Sequence, residues 1–308
     1  MISLPNTQAS EVSAAINRER HRMGSPAVGM VLTLLVLTDE LNQADALAAA
    51  SQAAREHPMR IIGLIERPGR GPAHLDALIN VGGDEGAGEL IACRLHGELS
   101  AHAGSVAIPL LLPDTPVVAW WPAQAPHLLA QDPIGKHAQR RISDSATTAH
   151  YLEELGTRLT NYSPGDTDLA WTRVTPWRSI LAAALDQPVG EVTGIEVQVE
   201  THNPSGFLLA GWLHSRLKVP AQVRHTKSPG ISQVILTTTT GKVVLNRADG
   251  NIAQLSVPGM PQATVALARR STAQLLTEEL RRLDPDEVYA EALQGVQDIR
   301  SEQAKSHG

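Results

Sequence analysis

In the first half of the chain, short uncharged hydrophobic runs alternate with Ala-rich stretches whose polar residues fall at helical spacing. That alternation predicts an α/β protein. Residues 30–37 are rich in Leu and Val and carry no charge, as in a strand of a parallel sheet covered on both faces. Thr38 or Asp39 is placed to cap the helix that runs on to Glu56, and Pro58 stops it. Residues 59–65 form the next strand, so the unit is βαβ with parallel strands and a right-handed crossover. Strands are predicted again at 78–81 and 89–95, joined by the glycine-rich segment 82–88. A helix from Glu98 toward Pro109, strands at 116–121 and 140–143, and a helix over 148–159 follow.

The cluster NYSPGDT at 161–167 is a polar turn and a domain boundary. Beyond it a helical piece begins at Asp168, and Thr175-Pro176 supplies a cap residue and an N1 proline for the helix 177–185. Residues 195–200 read as a strand, and Asn203-Pro204 opens another helix. From Val219 the texture changes to β-rich runs at 222–225, 233–238, 243–246, 252–257 and 263–267 with Gly-containing turns between them, an antiparallel meander. Capping boxes at Ser271/Gln274 and Asp284/Glu287 start two closing helices. The expected organisation is an N-terminal arm at 1–25, with Ser10 capping a short helix, an α/β domain at 26–162, an α+β domain at 163–300 and a tail at 301–308. The first domain is expected to hold a mostly parallel sheet with helices on both faces.

Aromatic residues are scarce, with five Trp, three Tyr and one Phe among 308 residues, yet Trp120 and Trp121 are adjacent at the end of a strand. Neighbouring strand residues point to opposite faces. Either helices cover both rings, or one ring faces a cleft or a partner, as Trp often does at interfaces. A second cluster holds Trp171, Arg173, Trp177 and Arg178. It reads either as a core helix with Arg stems over the rings or as an interface patch.

LLLPDTPVVAWWP (110–122) is accompanied, in a fixed order, by VLTLLVLTDE (31–40), REHPMRIIGLIE (55–66), LDALINVGGDEGAGELIACRLHGEL (75–99), RRISDSA (140–146), DLAWTRVTPWRSIL (168–181) and RRLDPDEVYAEAL (281–293). In these segments, from about residue 28 to 295, the chain resembles the glucose-6-phosphate dehydrogenase assembly protein family, OpcA. The resemblance implies a non-catalytic protein that binds glucose-6-phosphate dehydrogenase and favours its active oligomer, and so supports NADPH production in the oxidative pentose phosphate pathway. It makes Trp120, Trp121 and Pro122, with Trp171, Arg173, Trp177 and Arg178, the candidate partner contacts.

The net charge of −6 offers no overall basic field for nucleic acid or an anionic membrane. The only cysteine, Cys93, lies in an apolar strand pattern; an intramolecular disulfide is excluded, which suits a reducing cytoplasm. The apolar stretch 26–38 is too short to span a bilayer, and no short apolar segment with a cleavage site marks a signal peptide. The twelve histidines match no metal-ligand spacing, and His96 and His102 fall on different elements. Neither metal nor cofactor is expected. The glycines of 82–88 lie between two strands and carry Asp84 and Glu85, which argues against a phosphate loop.

Asp114 and Asp144, with Arg140 and Arg141, suggest an alternative: an enzyme or sensor that binds a phosphorylated sugar or nucleotide at the sheet edge. Against it, Asp after a strand commonly caps the next helix. The stretch 218–247 holds Lys218, Arg224, Lys227, Lys242 and Arg247 and no carboxylate. It reads as a solvated strand edge or as a basic face for an acidic partner or a phosphorylated sugar.

Overall fold

The computed structural model describes residues 1–23, 29–82, 88–247 and 250–306. It forms two compact units, one of Met1–Asp144, Gly165–Thr167 and Ser271–Pro285, the other of Ser145–Pro164, Asp168–Arg270 and Asp286–Gly308. The chain therefore passes between the units several times, where a single boundary near 162 was expected.

The first unit is built on an eight-stranded sheet. Its strands are β1 (Ile2–Thr7), β2 (Leu32–Asp39), β3 (Met59–Arg67), β4 (His74–Val81), β5 (Glu89–His96), β6 (Val117–Trp120), β7 (Arg140–Ser143) and β8 (Asp166–Asp168), in the order β1-β4-β5-β3-β2-β6-β7-β8. Strands β5, β3, β2, β6 and β7 run parallel, while β4 and β1 add antiparallel. The expected α/β class with a mostly parallel sheet is what the structure holds. Residues 2–23, expected as an arm, are instead the edge strand β1 and the helix α1 (Ala9–Met23), whose Val12, Ala15 and Ile16 are buried. The glycine-rich segment spans β4 and β5, but residues 83–87 lie outside the described residues; Gly82 N–H donates to the Gly88 carbonyl at 3.3 Å. The one helix expected after Glu98 is broken into a 3-10 turn at Gly97–His102, α3 (Ala103–Ala107) and a further 3-10 turn at Ile108–Leu110. Pro109 lies in the last of these turns, where the ring precludes an ordinary helical bond.

Both faces of this sheet are covered. Leu35, Ile62, Ala119 and Trp121 join the cluster that also takes Val12 and Ile16 of α1 and Val106 of α3. Residues of the opposite parity, Val36, Gly63 and Trp120, align across β2, β3 and β6. On that side α2 (Gln43–Ala53) buries Ala46, Ala49, Ala50 and Ala53, and Leu47 sits over Gly63 so closely that a Cβ there would lie 2.7 Å from its Cδ2. A helix of small residues can approach a sheet this closely only where the sheet also yields space. Helix α8 (Thr272–Leu280) starts with the expected Ser271/Gln274 capping box.

The second unit contains the helices α4 (Tyr151–Thr160), α5 (Leu169–Thr172), α6 (Thr175–Leu185), α7 (Pro204–Leu217) and α9 (Glu287–Ser306). Its sheet has the order β10-β9-β11-β12-β13-β14, from β9 (Val192–Glu200), β10 (Ala221–Thr226), β11 (Ile231–Thr238), β12 (Gly241–Asn246), β13 (Ile252–Ser256) and β14 (Ala263–Ala266). Strands β11 to β14 are the expected antiparallel meander. Strand β10 is not its first strand: it pairs parallel with β9, because α7 intervenes and carries the chain back to the starting end. Asn203 caps α7, as expected, by accepting from Ser205 N–H at 3.1 Å. Two caps fall elsewhere than predicted. Thr175 lies inside α6, with Val174 at the N-cap, and Asp286 rather than Asp284 accepts from the Tyr289 N–H of α9.

Helices α7 and α9 touch through glycines. A Cβ on Gly295 would lie 2.1 Å from the Gly211 carbonyl oxygen, closer than any tolerable contact. Gly295→Ala should therefore lower the urea midpoint, by about 1–3 kcal/mol of overpacking, despite the better helix propensity of Ala. Gly156→Ala in α4, where a Cβ meets nothing within 4 Å, should raise it by about 0.5–1 kcal/mol.

Candidate functional site

The tryptophans expected to anchor a partner are core residues. Trp120 is 1% exposed and Trp121 3%. Trp121 sits under the loop that follows β6: a Cβ on Gly135 would lie 3.3 Å from its ring and 1.8 Å from the Leu129 carbonyl oxygen. The loop is thus moulded over the indole, and Pro122 at its start is half-buried. Trp120 fills the opposite face, its buried Nε1 without a hydrogen-bond partner.

In the second unit Trp171 and Trp177 are also buried. Trp171 Nε1 donates to Asp286 Oδ2 at 2.7 Å, so the carboxylate that caps α9 also fixes the ring. The Arg178 guanidinium lies 3.7 Å from the Trp171 ring centroid, the expected stacking, although the two residues belong to separate helices, α5 and α6. Arg173 and Arg178 remain half-buried.

Asp114 and Asp144 are not neighbours. Strands β6 and β7 are parallel; Asp114 precedes β6 and Asp144 follows β7, which puts them at opposite ends of the sheet. Asp114 is exposed with φ +57°, a turn conformation that Asp tolerates better than most residues. Asp144 is 6% exposed. Arg140 and Arg141 point to different partners. Arg140 Nε donates to Glu279 Oε2 at 3.0 Å and its Nη1 to the Asp284 carbonyl at 2.7 Å. Arg141 pairs with Asp166 and donates to the Ala138 carbonyl at 2.8 Å. These buried pairs tie strand ends to their surroundings and leave no matched acid and base for catalysis at this edge.

At the carboxyl ends of the parallel strands the field is acidic. Asp39 Oδ1 accepts from the N–H groups of Leu41 and Asn42 at 2.9 and 2.8 Å, at the place before α2 where a dinucleotide would offer its phosphates. Burial, with Asp132 and Asp39 nearby, pushes the Glu66 carboxyl up. Cys93 is fully buried and burial pushes its thiol up to about 12, consistent with an inert side chain.

Two arrangements escaped the sequence reading. The first lies on β4 and β5, where His74, Asp76 and His96 bring ligand atoms within 4.8 Å of one another. His74 Nδ1 bonds the Pro72 carbonyl at 2.9 Å, and His96 Nε2 lies 3.1 Å from Asp76 Oδ2. Such a set is able to ligate a divalent cation. However, the imidazoles are stacked at 4.0 Å with planes 10° apart. Lone pairs lie in the ring planes, so one ring would have to turn before both reached one ion. Residues 74 and 96 face each other only through the β4–β5 register, which spacing along the chain does not reveal. The Asn6 backbone N–H, 2.9 Å from Asp76 Oδ1, holds that carboxyl below its ordinary value, with the imidazoles helping.

The second is a cavity of about 290 Å³ in the second unit. Arg173, Arg247, Arg269 and Arg270 line it, together with Trp177 and the N-terminal turn of α7. Of these arginines only Arg247 belongs to the basic stretch 218–247; the pair Arg269-Arg270 before the α8 cap was the remaining signal.

Comparison with known proteins places both halves of the chain. The N-terminal domain of the OpcA-type glucose-6-phosphate dehydrogenase assembly family matches residues 50–160. The C-terminal domain of the same OpcA glucose-6-phosphate dehydrogenase family matches residues 164–293. The putative OxPP cycle protein OpcA of Synechocystis sp. is 31% identical over 156 residues, 47% of this chain and 32% of that protein. The matched stretch thus spans about a third of the curated relative's length. Among solved structures, a 3-ketoreductase of Actinomadura kijaniata aligns with a TM-score of 0.47 at 10% identity, over 88% of this chain and 96% of that one. An NAD binding oxidoreductase of Klebsiella pneumoniae aligns with a TM-score of 0.46 at 10% identity, over 90% and 98%. Similarity at this level transfers no chemistry from either enzyme.

Trp121→Ala should cost about 3–5 kcal/mol of stability, as for large-to-Ala changes in a core, measured as a lowered thermal and denaturant midpoint. Asp76→Asn should destabilise the chain near neutral pH. A carboxyl whose value is depressed on folding contributes stability above its unfolded value, about 3.9, and loses it as pH falls through the folded value. The gap in melting temperature between wild type and variant should therefore close on acidification; a gap independent of pH would remove the charged Asp76 from the account.

Proposed function

The chain belongs to the OpcA family, and from that membership we propose that it binds glucose-6-phosphate dehydrogenase as a non-catalytic assembly partner and favours the enzyme's active oligomer. The observation that carries the reading is the succession of the two family domains, at 50–160 and 164–293, along one chain. A partner shifts an oligomeric equilibrium only by binding the favoured form more tightly, and such binding needs surface rather than reactive groups.

Several features support a non-catalytic role. Asp114 and Asp144 occupy opposite ends of the sheet, Arg140 and Arg141 are engaged in buried pairs, and an Asp carboxylate fills the turn before α2. Among the described residues, no helix is long and apolar enough to cross a membrane. We place the protein in the cytoplasm with its enzyme. In the signature segments the tryptophans shape the surface from beneath, and Pro122, Arg173 and Arg178 are the members left to touch a partner. Leu41, a large apolar side chain 93% exposed in the turn before α2, is a further contact of this kind.

Mixing the purified chain with the same organism's glucose-6-phosphate dehydrogenase should give a larger complex by light scattering and a raised rate of NADP reduction. Neither a complex nor a rate change would overturn the reading. Leu41→Glu should leave the melting temperature unchanged, within about 0.5 kcal/mol in stability, and weaken the complex. An unaltered complex would move the contact away from that edge.

A further inference from the structure

We propose that the cavity of the second unit is a binding site for a small phosphate monoester, a phosphoryl group carried on a compact polyol body. The inference concerns the isolated chain and does not depend on the enzyme partner.

Charge is the first argument. The chain as a whole carries −6, yet four guanidinium groups and one carboxylate, Glu200, line this cavity. That carboxylate already accepts from the Gly230 N–H at 2.9 Å. The guanidiniums are held in place by main-chain carbonyls. Arg247 donates to Leu267 O at 3.1 Å and to Ile231 O at 2.9 Å, Arg269 donates to Pro229 O, and Arg270 donates to Thr172 O. A carbonyl orients a guanidinium without cancelling its charge, and Arg is the side chain whose planar donors suit phosphate oxygens.

The second argument is a hydroxyl. Ser205 lines the cavity, is only 3% exposed, and its Oγ has no hydrogen-bond partner. Buried hydroxyls are nearly always satisfied. Ser205 stands in the first turn of α7, a helix of 14 residues. Its backbone N–H is taken by Asn203, but the terminal N–H groups beyond it and the positive end of the helix dipole favour an anion there. A phosphoryl oxygen would supply the acceptor that Ser205 Oγ lacks.

Size selects the body. About 290 Å³ lies at the lower end of small-molecule pockets, whose volumes start at about 300 Å³. Inorganic phosphate would leave most of this space empty, and a dinucleotide would not fit. Trp177, 2% exposed with the Arg247 guanidinium 4.9 Å from its ring centroid, forms a rigid wall against which a sugar ring can lie.

Calorimetric titration and thermal melting of the full chain with glucose 6-phosphate, ribose 5-phosphate, glucose and inorganic phosphate test the proposal. At least one phosphorylated sugar should bind saturably and raise the melting temperature, more tightly than inorganic phosphate, while glucose does neither. Ser205→Ala should melt at or above the wild-type temperature, because it removes an unpartnered hydroxyl, yet bind the sugar phosphate about tenfold more weakly, the worth of one charge-assisted hydrogen bond. Arg269→Gln, at an exposed position, should weaken it to a similar extent. No saturable binding of either sugar phosphate at millimolar concentration would overturn the proposal. So would equal affinity for inorganic phosphate, or binding unaltered in both variants.

Discussion

The fold of the first unit rests on the geometry of a parallel strand that must be buried on both faces. On β6 that geometry sends Trp120 to one side and Trp121 to the other, and each indole needs its own covering layer. The layer over Trp121 is built from α1, α3 and the loop moulded on Gly135. On the other side, Gly63 beside Val36 gives α2 the room to approach with a face of alanines. Edge strand β1 and helix α1 belong to the same solution, since without α1 the cluster around Ile62 and Leu64 would face water.

Buried charge pairs hold the ends of these strands. Glu89 receives Arg60 at 2.7 Å and Arg20 at 2.8 Å, and Arg60 also reaches the Leu110 carbonyl, so α1, β3 and β5 are joined at one carboxylate. Desolvation lowers the Arg60 value from its ordinary level, with Glu89 opposing it. Arg140–Glu279 and Arg141–Asp166 do the same for β7. Buried pairs of this kind are weak sources of net stability and costly to break singly, because the survivor is left as an uncompensated charge. Their worth here is in register and position. The signature segment RRISDSA is thereby explained as structure.

The electrostatics of the two units differ in sign where ligands are concerned. The carboxyl ends of the parallel strands, where α/β proteins usually bind phosphates, carry Asp39, Glu66 and Asp132 and no glycine-rich turn before α2. The convergent basic groups lie instead around the first turn of α7. A protein of this family can therefore keep the sheet architecture of a nucleotide-binding domain while its own edge repels nucleotides, which fits work done through surfaces.

Local patterning determined much of this protein by itself. The uncharged runs placed β2, β3 and β7, the Ala-rich stretch placed α2, Asn203-Pro204 placed the start of α7 and Ser271/Gln274 that of α8, because strand period, helix period and caps are short-range physics. Segment order likewise carried the family. Tertiary structure alone decided what depends on pairing between distant residues. Whether the tryptophans were core or contact could not be read from the strand, since both coverings satisfy the same alternation. The parallel pairing of β10 with β9 followed from where α7 packs. His74 met His96 through strand register. The cavity drew Arg173, Arg247 and Arg269 from three separate segments, and no spacing along a chain encodes that convergence.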